Sequence, residues 1–335
     1  MSQIAVMGGG AWGTSIALSL ARRGDHTLTL WAHSPEVGAQ IQASGENKPF
    51  LPGFHFPCEI AVTSDPEEAL SGAEIVVSVM PSHHVRASYE MFAPYLNSAQ
   101  VLVSATKGIE DGTYLRISQV IAEVLGGHEL ELQCGVLSGP SFAQEVAAGF
   151  PTAVTIASNY AGLASLVQRE FSSGTLRLYT NDDVIGVELG GALKNVIAIA
   201  AGIVAGLRLG HNSTAALITR GVAEVTRLAV ACGGRRETLA GLSGIGDLVL
   251  TCTGALSRNR WVGVELGKGR RLGDILADLH GKVAEGVRST SAALGLARQN
   301  GVEMPIAEQV EAILRSAKHP LQAMQELMSR PGRDE

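Results

Sequence analysis

Residues 4–13 read Ile4-Ala5-Val6-Met7-Gly8-Gly9-Gly10-Ala11-Trp12-Gly13, and Thr14-Ser15-Ile16-Ala17-Leu18 follow at once. A short apolar run with β-branched Ile4 and Val6 suits a buried strand, and the segment after Gly13 has the apolar spacing of a helix. The glycines between them satisfy G-x-G-x-x-G. Gly8 permits the tight strand-to-helix turn, Gly10 lets the backbone approach a pyrophosphate, and Gly13 lets the helix pack closely on the strand. The helix N-terminus then faces the anion. In this setting the motif predicts a dinucleotide site; the plainer alternative is a tight turn that binds nothing.

The pattern outside the loop supports that setting. Apolar, β-branched runs recur at 27–31, 75–79, 101–105 and 152–157, with a shorter candidate at 135–137, and helical stretches such as 14–23 and 114–125 fill gaps between them. Strands alternating with helices imply βαβ units and a mostly parallel sheet. Near residue 180 the rhythm changes. Asp182 or Asp183 can cap a helix starting at Val184, and strand signals give way to helical patterns at 184–207, 213–232, 289–300 and 305–317. The sequence therefore predicts an α/β protein: an N-terminal Rossmann-like dinucleotide-binding domain over 1–182, followed by an all-α substrate-binding domain over 183–335.

Composition narrows the function classes. The net charge of −6 argues against a nucleic-acid partner, because phosphate backbones call for a basic stripe. Cys58, Cys134, Cys232 and Cys252 lack paired spacing, so they read as buried thiols rather than a disulfide framework or zinc site. The apolar run at 196–207 is short for a bilayer, which needs about 20 residues, so the expectation is a soluble, cytoplasmic protein without a membrane span. Charged residues make up 17% of the chain against about 25% on average, which points to a surface covered by a second copy, a homodimer. The 40 glycines ask what the backbone must approach so closely.

Several polar residues stand where ligands bind, beyond the carboxyl ends of parallel strands. Lys107 follows 101–105, where a single lysine also reads as a solvated surface residue, and Ser138-Gly139-Pro140-Ser141 follows 135–137. Just after the second strand, near where an acid for the adenosine ribose would be expected, stands His33; this tolerates a 2′-phosphate and favours NADPH, although His33 also reads as an exposed turn residue. Lys194 lies in an apolar helix, with Gly190, Ala198 and Gly202 on its face at i+4 spacing, small residues that would let another element or a ligand approach the ammonium. Burial lowers a lysine's pKa and suits it to acid/base chemistry, unless its head reaches water from the helix edge. Asp247 follows a glycine-rich bend at 241–246 and reads either as a carboxylate of the site or as an N-cap. Ser257-Arg258-Asn259-Arg260 offers phosphate-recognition chemistry or a surface turn. Together these groups could accept a small phosphorylated alcohol beside a nicotinamide ring.

At this level the chain resembles the NAD(P)-dependent glycerol-3-phosphate dehydrogenases of the bacterial type. The strings that carry the resemblance are GGGAWGTSIA (8–17), SATKGIE (104–110), SGPSFAQEVA (138–147), ELGGALKNVIAIAAGI (188–203), LSGIGDLVLTCTG (242–254), SRNR (257–260), VAEGVRST (283–290) and VEMPIAEQV (302–310). The resemblance implies NAD or NADP as cofactor and reversible hydride transfer between dihydroxyacetone phosphate and sn-glycerol 3-phosphate, supplying phospholipid synthesis. It implies Lys194 as the proton acceptor and Lys107 in contact with both substrate and cofactor. Gly139, Ser141, Asp247, Thr251, Ser257, Arg258 and Asn259 would line the substrate site. Ala11, Trp12, His33, Ala143, Arg258, Val283 and Glu285 would contact the nucleotide, with the contacts of Ala11 and Trp12 made by backbone. Two competing readings are a β-hydroxyacid dehydrogenase-like reductase, whose substrate carries a carboxylate, and a non-catalytic nucleotide sensor.

Overall fold

The computed structural model describes residues 1–57, 60–279 and 283–332. Its sheet has eight strands: β1 (Ser2–Met7), β2 (His26–Trp31), β3 (Ile60–Thr63), β4 (Ile75–Ser78), β5 (Val101–Ser104), β6 (Gln133–Ser138), β7 (Thr152–Ala157) and β8 (Leu176–Asn181). They lie in the order β3-β2-β1-β4-β5-β6-β7-β8. All neighbours are parallel except β6 and β7, which run antiparallel.

The central strands are apolar on both faces because both faces are covered, as parallel sheets require. Val6, Val77 and Val103 pack on one face with Ile16 and Leu20 of the helix Ala11–Ala21. Ala5, Val76 and Leu102 pack on the other, with Tyr89, Phe92, Ile117 and Ile121 from the helices Val85–Phe92 and Ile117–Gly127. The predicted runs all fall on strands. Unanticipated are β3, of only four residues, and β8, an edge strand whose alternating polar residues Arg177 and Tyr179 are exposed.

The chain divides into two compact units, Met1–Lys107 with Leu115–Glu188, and Gly108–Tyr114 with Leu189–Glu335. Within the second unit the ring of Tyr114 lies against Gly295 so closely that a Cβ there would sit 2.2 Å from it. Its main helices are Gly210–Ala231, Arg258–Gly267, Glu285–Gln299 and Pro305–Ser316, together with residues 189–206 of the helix Val184–Gly206.

That last helix corrects one expectation. It has 23 residues and is long and apolar enough to cross a membrane by length and composition, so the run at 196–207 understates it; 83% of its most apolar window is buried inside the protein. It also decides between the two readings of Gly202. A Cβ on Gly202 would lie 2.0 Å from the Arg260 carbonyl, one on Gly206 2.3 Å from that of Val264, and one on Gly263 2.0 Å from that of Ile199. Gly202 therefore makes room for the helix Arg258–Gly267, and not for a ligand at the Lys194 ammonium. Side chains larger than hydrogen would force these helices apart.

Among the cysteines, Cys252 is buried as expected, while Cys134 and Cys232 are only half-buried. Cys58 lies outside the described residues.

Candidate active site

The glycine loop leaves β1 at the point where the strand order reverses between β1 and β4, where doubly wound sheets bind their ligands. Gly8 has φ +148°, and a Cβ there would strike the Val79 carbonyl at 1.8 Å; one on Gly13 would strike the Gly8 carbonyl at 1.9 Å. Both glycines are fixed by the fold itself. Gly10 is different: a Cβ there meets nothing within 4 Å. Gly10 is also the N-cap of the helix Ala11–Ala21 and has no side chain to cap it, which leaves first-turn N–H groups for an anion. Ala11 and Trp12 are half-buried on this turn. The Ser15 hydroxyl lies 2.7 Å from the Ala11 carbonyl and 2.7 Å from that of Ala143, so Ala143 is drawn to the same helix. His33 is exposed just past β2, edge-on to Trp31.

Beyond β5 and β6, three predicted residues meet at one carbonyl. Lys107 Nζ donates to Gly139 O at 3.0 Å, and Ser141 Oγ donates to the same oxygen at 3.0 Å. Gly139 has φ +140°, and a Cβ there would lie 2.9 Å from Val154 Cα.

In the second unit Lys194 Nζ donates to Asp247 Oδ1 in a short ion pair, with both side chains almost wholly buried. Gly190 permits this: a Cβ there would come within 2.5 Å of the Ser243 carbonyl, in the bend that presents Asp247. The N-cap alternative for Asp247 falls away. Gly246 holds the N-cap position, and Asp247 is the first residue of the helix Asp247–Thr253, after a π-helical turn at Leu242–Gly246. Thr251 Oγ1 donates to the Asp247 carbonyl at 2.6 Å. Burial pushes the neighbouring Cys252 thiol up to about 12, against the pull of Lys194 and Arg260, so Cys252 stays protonated.

Ser257 caps the helix Arg258–Gly267 by accepting from Arg260 N. Arg258 is exposed, within range of the Glu285 charge at the start of the helix Glu285–Gln299. Val283 stands half-buried just before that helix. Asn259 is buried between helices: its Nδ2 donates to Asn195 Oδ1 at 2.9 Å and its Oδ1 accepts from Gly286 N at 2.9 Å. The amide retains a second Nδ2 hydrogen.

Residues 3–164 match the family described as NAD-dependent glycerol-3-phosphate dehydrogenase N-terminus, and residues 183–325 match its C-terminus. The chain belongs to the NAD-dependent glycerol-3-phosphate dehydrogenase family. It is 70% identical to a glycerol-3-phosphate dehydrogenase [NAD(P)+] of Acidobacterium capsulatum, and 60% identical to one of Koribacter versatilis. The alignments cover all of this chain in both cases, and 100% and 99% of the relatives. The crystal structure of glycerol-3-phosphate dehydrogenase from Coxiella burnetii superposes with a TM-score of 0.93 at 40% identity, covering 98% of this chain and 99% of that one.

Within this dehydrogenase scaffold, sequence reasoning passed over two polar side chains. Asn195 is the buried partner of Asn259, and its position directly after Lys194 in an apolar helix was the available signal. Asn47 is buried against the glycine loop. Its partners stand more than 30 residues away in sequence, so no local pattern reveals it.

Proposed function

We propose that this chain catalyses reversible hydride transfer between dihydroxyacetone phosphate and sn-glycerol 3-phosphate, with NADP(H) or NAD(H). The observation that carries the reading is the buried Lys194–Asp247 pair, in a chain whose glycine loop is open at Gly10. The loop fits a dinucleotide: Gly8 and Gly13 hold its shape, Gly10 leaves space, and a helix N-terminus faces that space. Ala11, Trp12, His33, Ala143, Val283 and Glu285 are the further residues we assign to the nucleotide. When bound, the nicotinamide supplies the hydride to C2 of the ketone or accepts it from the alcohol.

The chain's own groups do the rest. In reduction the Lys194 ammonium gives a proton to the developing alkoxide, and in oxidation its amine takes the hydroxyl proton. Asp247 holds Lys194 in place from one side. Lys107, Gly139 and Ser141 touch the substrate, and cationic Lys107 stabilises negative charge on its oxygen. Arg258 grips the phosphate, and the Ser257 hydroxyl, the second Nδ2 hydrogen of Asn259 and Thr251 complete that contact. Lacking an acidic residue at position 33, the site favours NADPH over NADH. Residues 1–182 act as the nucleotide domain and 183–335 as the substrate domain, in a cytoplasmic homodimer whose contacts account for the low charge content.

The test is one steady-state assay with dihydroxyacetone phosphate, run in parallel with NADPH and NADH and with short 3-oxo acids as competitors. Oxidation of reduced cofactor with the ketone phosphate supports the reading. Turnover with the carboxylates alone would transfer the chain to the β-hydroxyacid class, and turnover with nothing would make it a nucleotide sensor.

A further inference from the structure

Asn47 lies in the connection between the helix Pro35–Ser44 and β3, and it is fully buried. Its backbone carbonyl accepts from Leu51 N at 2.8 Å, and Leu51 is itself anchored in the apolar core of the first unit. The side chain is thus held from behind and points at the glycine loop. Nδ2 donates to the Gly9 carbonyl at 2.7 Å and to Thr14 Oγ1 at 2.7 Å, spanning the loop from its middle to the first turn of the helix Ala11–Ala21. Oδ1 is buried with no hydrogen-bond partner among the described residues. Turning the amide over would set Oδ1 against the Gly9 oxygen, acceptor against acceptor, so the orientation is fixed by chemistry.

The Gly9 carbonyl and the Gly10 N–H share one planar trans peptide, and so point in opposite directions. Drawing the Gly9 oxygen towards buried Asn47 therefore turns the Gly10 N–H away from the interior. Gly9 itself cannot be steadied by a side chain, and glycine peptides rotate more readily than others. Gly10 is also the loop position that is open to a ligand.

We propose that Asn47 is a positioning residue for the dinucleotide: it sets the plane of the Gly9–Gly10 peptide and so aims the Gly10 N–H at the cofactor phosphate. This rests on the proposed dinucleotide reading of the loop. Asn47 touches neither substrate nor reacting atoms, so its removal acts on cofactor affinity and leaves the chemical step alone.

The test measures NADPH binding by nicotinamide fluorescence on the full chain, with steady-state kinetics and thermal melts alongside. Asn47→Ala is expected to raise the NADPH Kd about tenfold or more, while kcat at saturating NADPH and KM for dihydroxyacetone phosphate stay within about threefold of wild type. Asn47→Asp provides a readout that lost packing would not move. Its buried carboxyl donates to the Gly9 carbonyl only when protonated, so the ratio of its Kd to that of wild type should fall as pH drops from about 8 to about 6. A wild-type Kd for Asn47→Ala overturns the proposal. If that variant does not fold, Asn47→Asp decides, and a Kd ratio that does not move with pH overturns the proposal equally. Failure of the wild-type chain to bind either NADPH or NADH overturns the dinucleotide reading itself, a result distinct from a variant that binds normally.

Discussion

In the first unit a Cβ on Gly10 would enter open space, whereas in the second a Cβ on Gly202 would sit 2.0 Å from the Arg260 carbonyl. The same residue type leaves space open in one place and serves a helix contact in the other. The sites differ in the same sense. The loop in the first unit offers main-chain groups on a tight turn, and the second unit offers buried side chains, Lys194, Asp247 and Asn259, held by ion pairing and hydrogen bonds. A site built of backbone is specified by what its residues lack. A site built of side chains is specified by the partners that hold them, because a buried charge is tolerated only when paired.

The largest effect should come from the side-chain site. Lys194→Ala is expected to lower kcat by about 10²–10⁴ while NADPH binding stays within about threefold, as read by steady-state turnover and fluorescence titration. The variant also leaves Asp247 buried without its partner, so circular dichroism must first show it folded. Near-normal turnover would remove the second unit from the chemistry.

Next comes the helix contact. Gly202→Ala should destabilise the protein by about 3 kcal/mol in denaturant unfolding, because the new methyl has backbone in front of it and no flexible side chain to displace. An unchanged midpoint would show that the two helices can separate without cost, and the contrast with Gly10 would collapse.

Gly10→Ala is the counterpart. Its unfolding free energy should stay within about 0.5 kcal/mol of wild type, while the NADPH Kd rises about tenfold. Lost stability with unchanged affinity would mean that Gly10, like Gly202, serves packing.

The smallest effect sharpens the comparison away from either site. Glu224 is buried in the second unit and accepts from Ile306 N at 2.7 Å, at the head of the helix Pro305–Ser316. Burial pushes its pKa up to about 7, against the two backbone N–H groups and Arg227, which favour the charged form. A folded pKa raised above the unfolded value means that its contribution is complete below about pH 4.5 and is lost as pH climbs through 7. Between about pH 6 and 8 the wild type should therefore lose about 1 kcal/mol relative to Glu224→Gln, measured as the difference between their unfolding free energies. A flat difference would show that Glu224 is charged throughout.

Much of the fold is legible in the chain because its central strands are buried on both faces and so read as continuous β-branched runs. β3 and β8 escape because both are edge strands, which need fewer apolar residues than the central ones. The antiparallel pairing of β6 with β7 has no local signature in a pattern that otherwise reads as parallel. At the site, Lys194 is conspicuous as a charge in an apolar helix, and the glycine loop has a spacing that only its geometry explains. Gly202 is ambiguous because the residues it packs against, Arg260 and Gly263, lie about 60 residues on, and Asn47 is silent because Gly9 is 38 positions before it. Spacing along one element is visible in a sequence; which element lies across from it is not.

The short segment Gly108–Tyr114 belongs to the second unit although the chain on either side of it belongs to the first. On the ribosome it emerges long before the helix carrying Gly295, against which Tyr114 lies. At roughly 5–20 residues per second, the delay is roughly 10–40 s. During that interval Ile109, buried in the finished protein, has no completed bed to enter. A fragment ended near residue 182 would retain that exposed piece permanently, and the complementary fragment would fold around an empty slot. The enzyme's two units can be told apart on inspection, yet no single cut in the chain separates them.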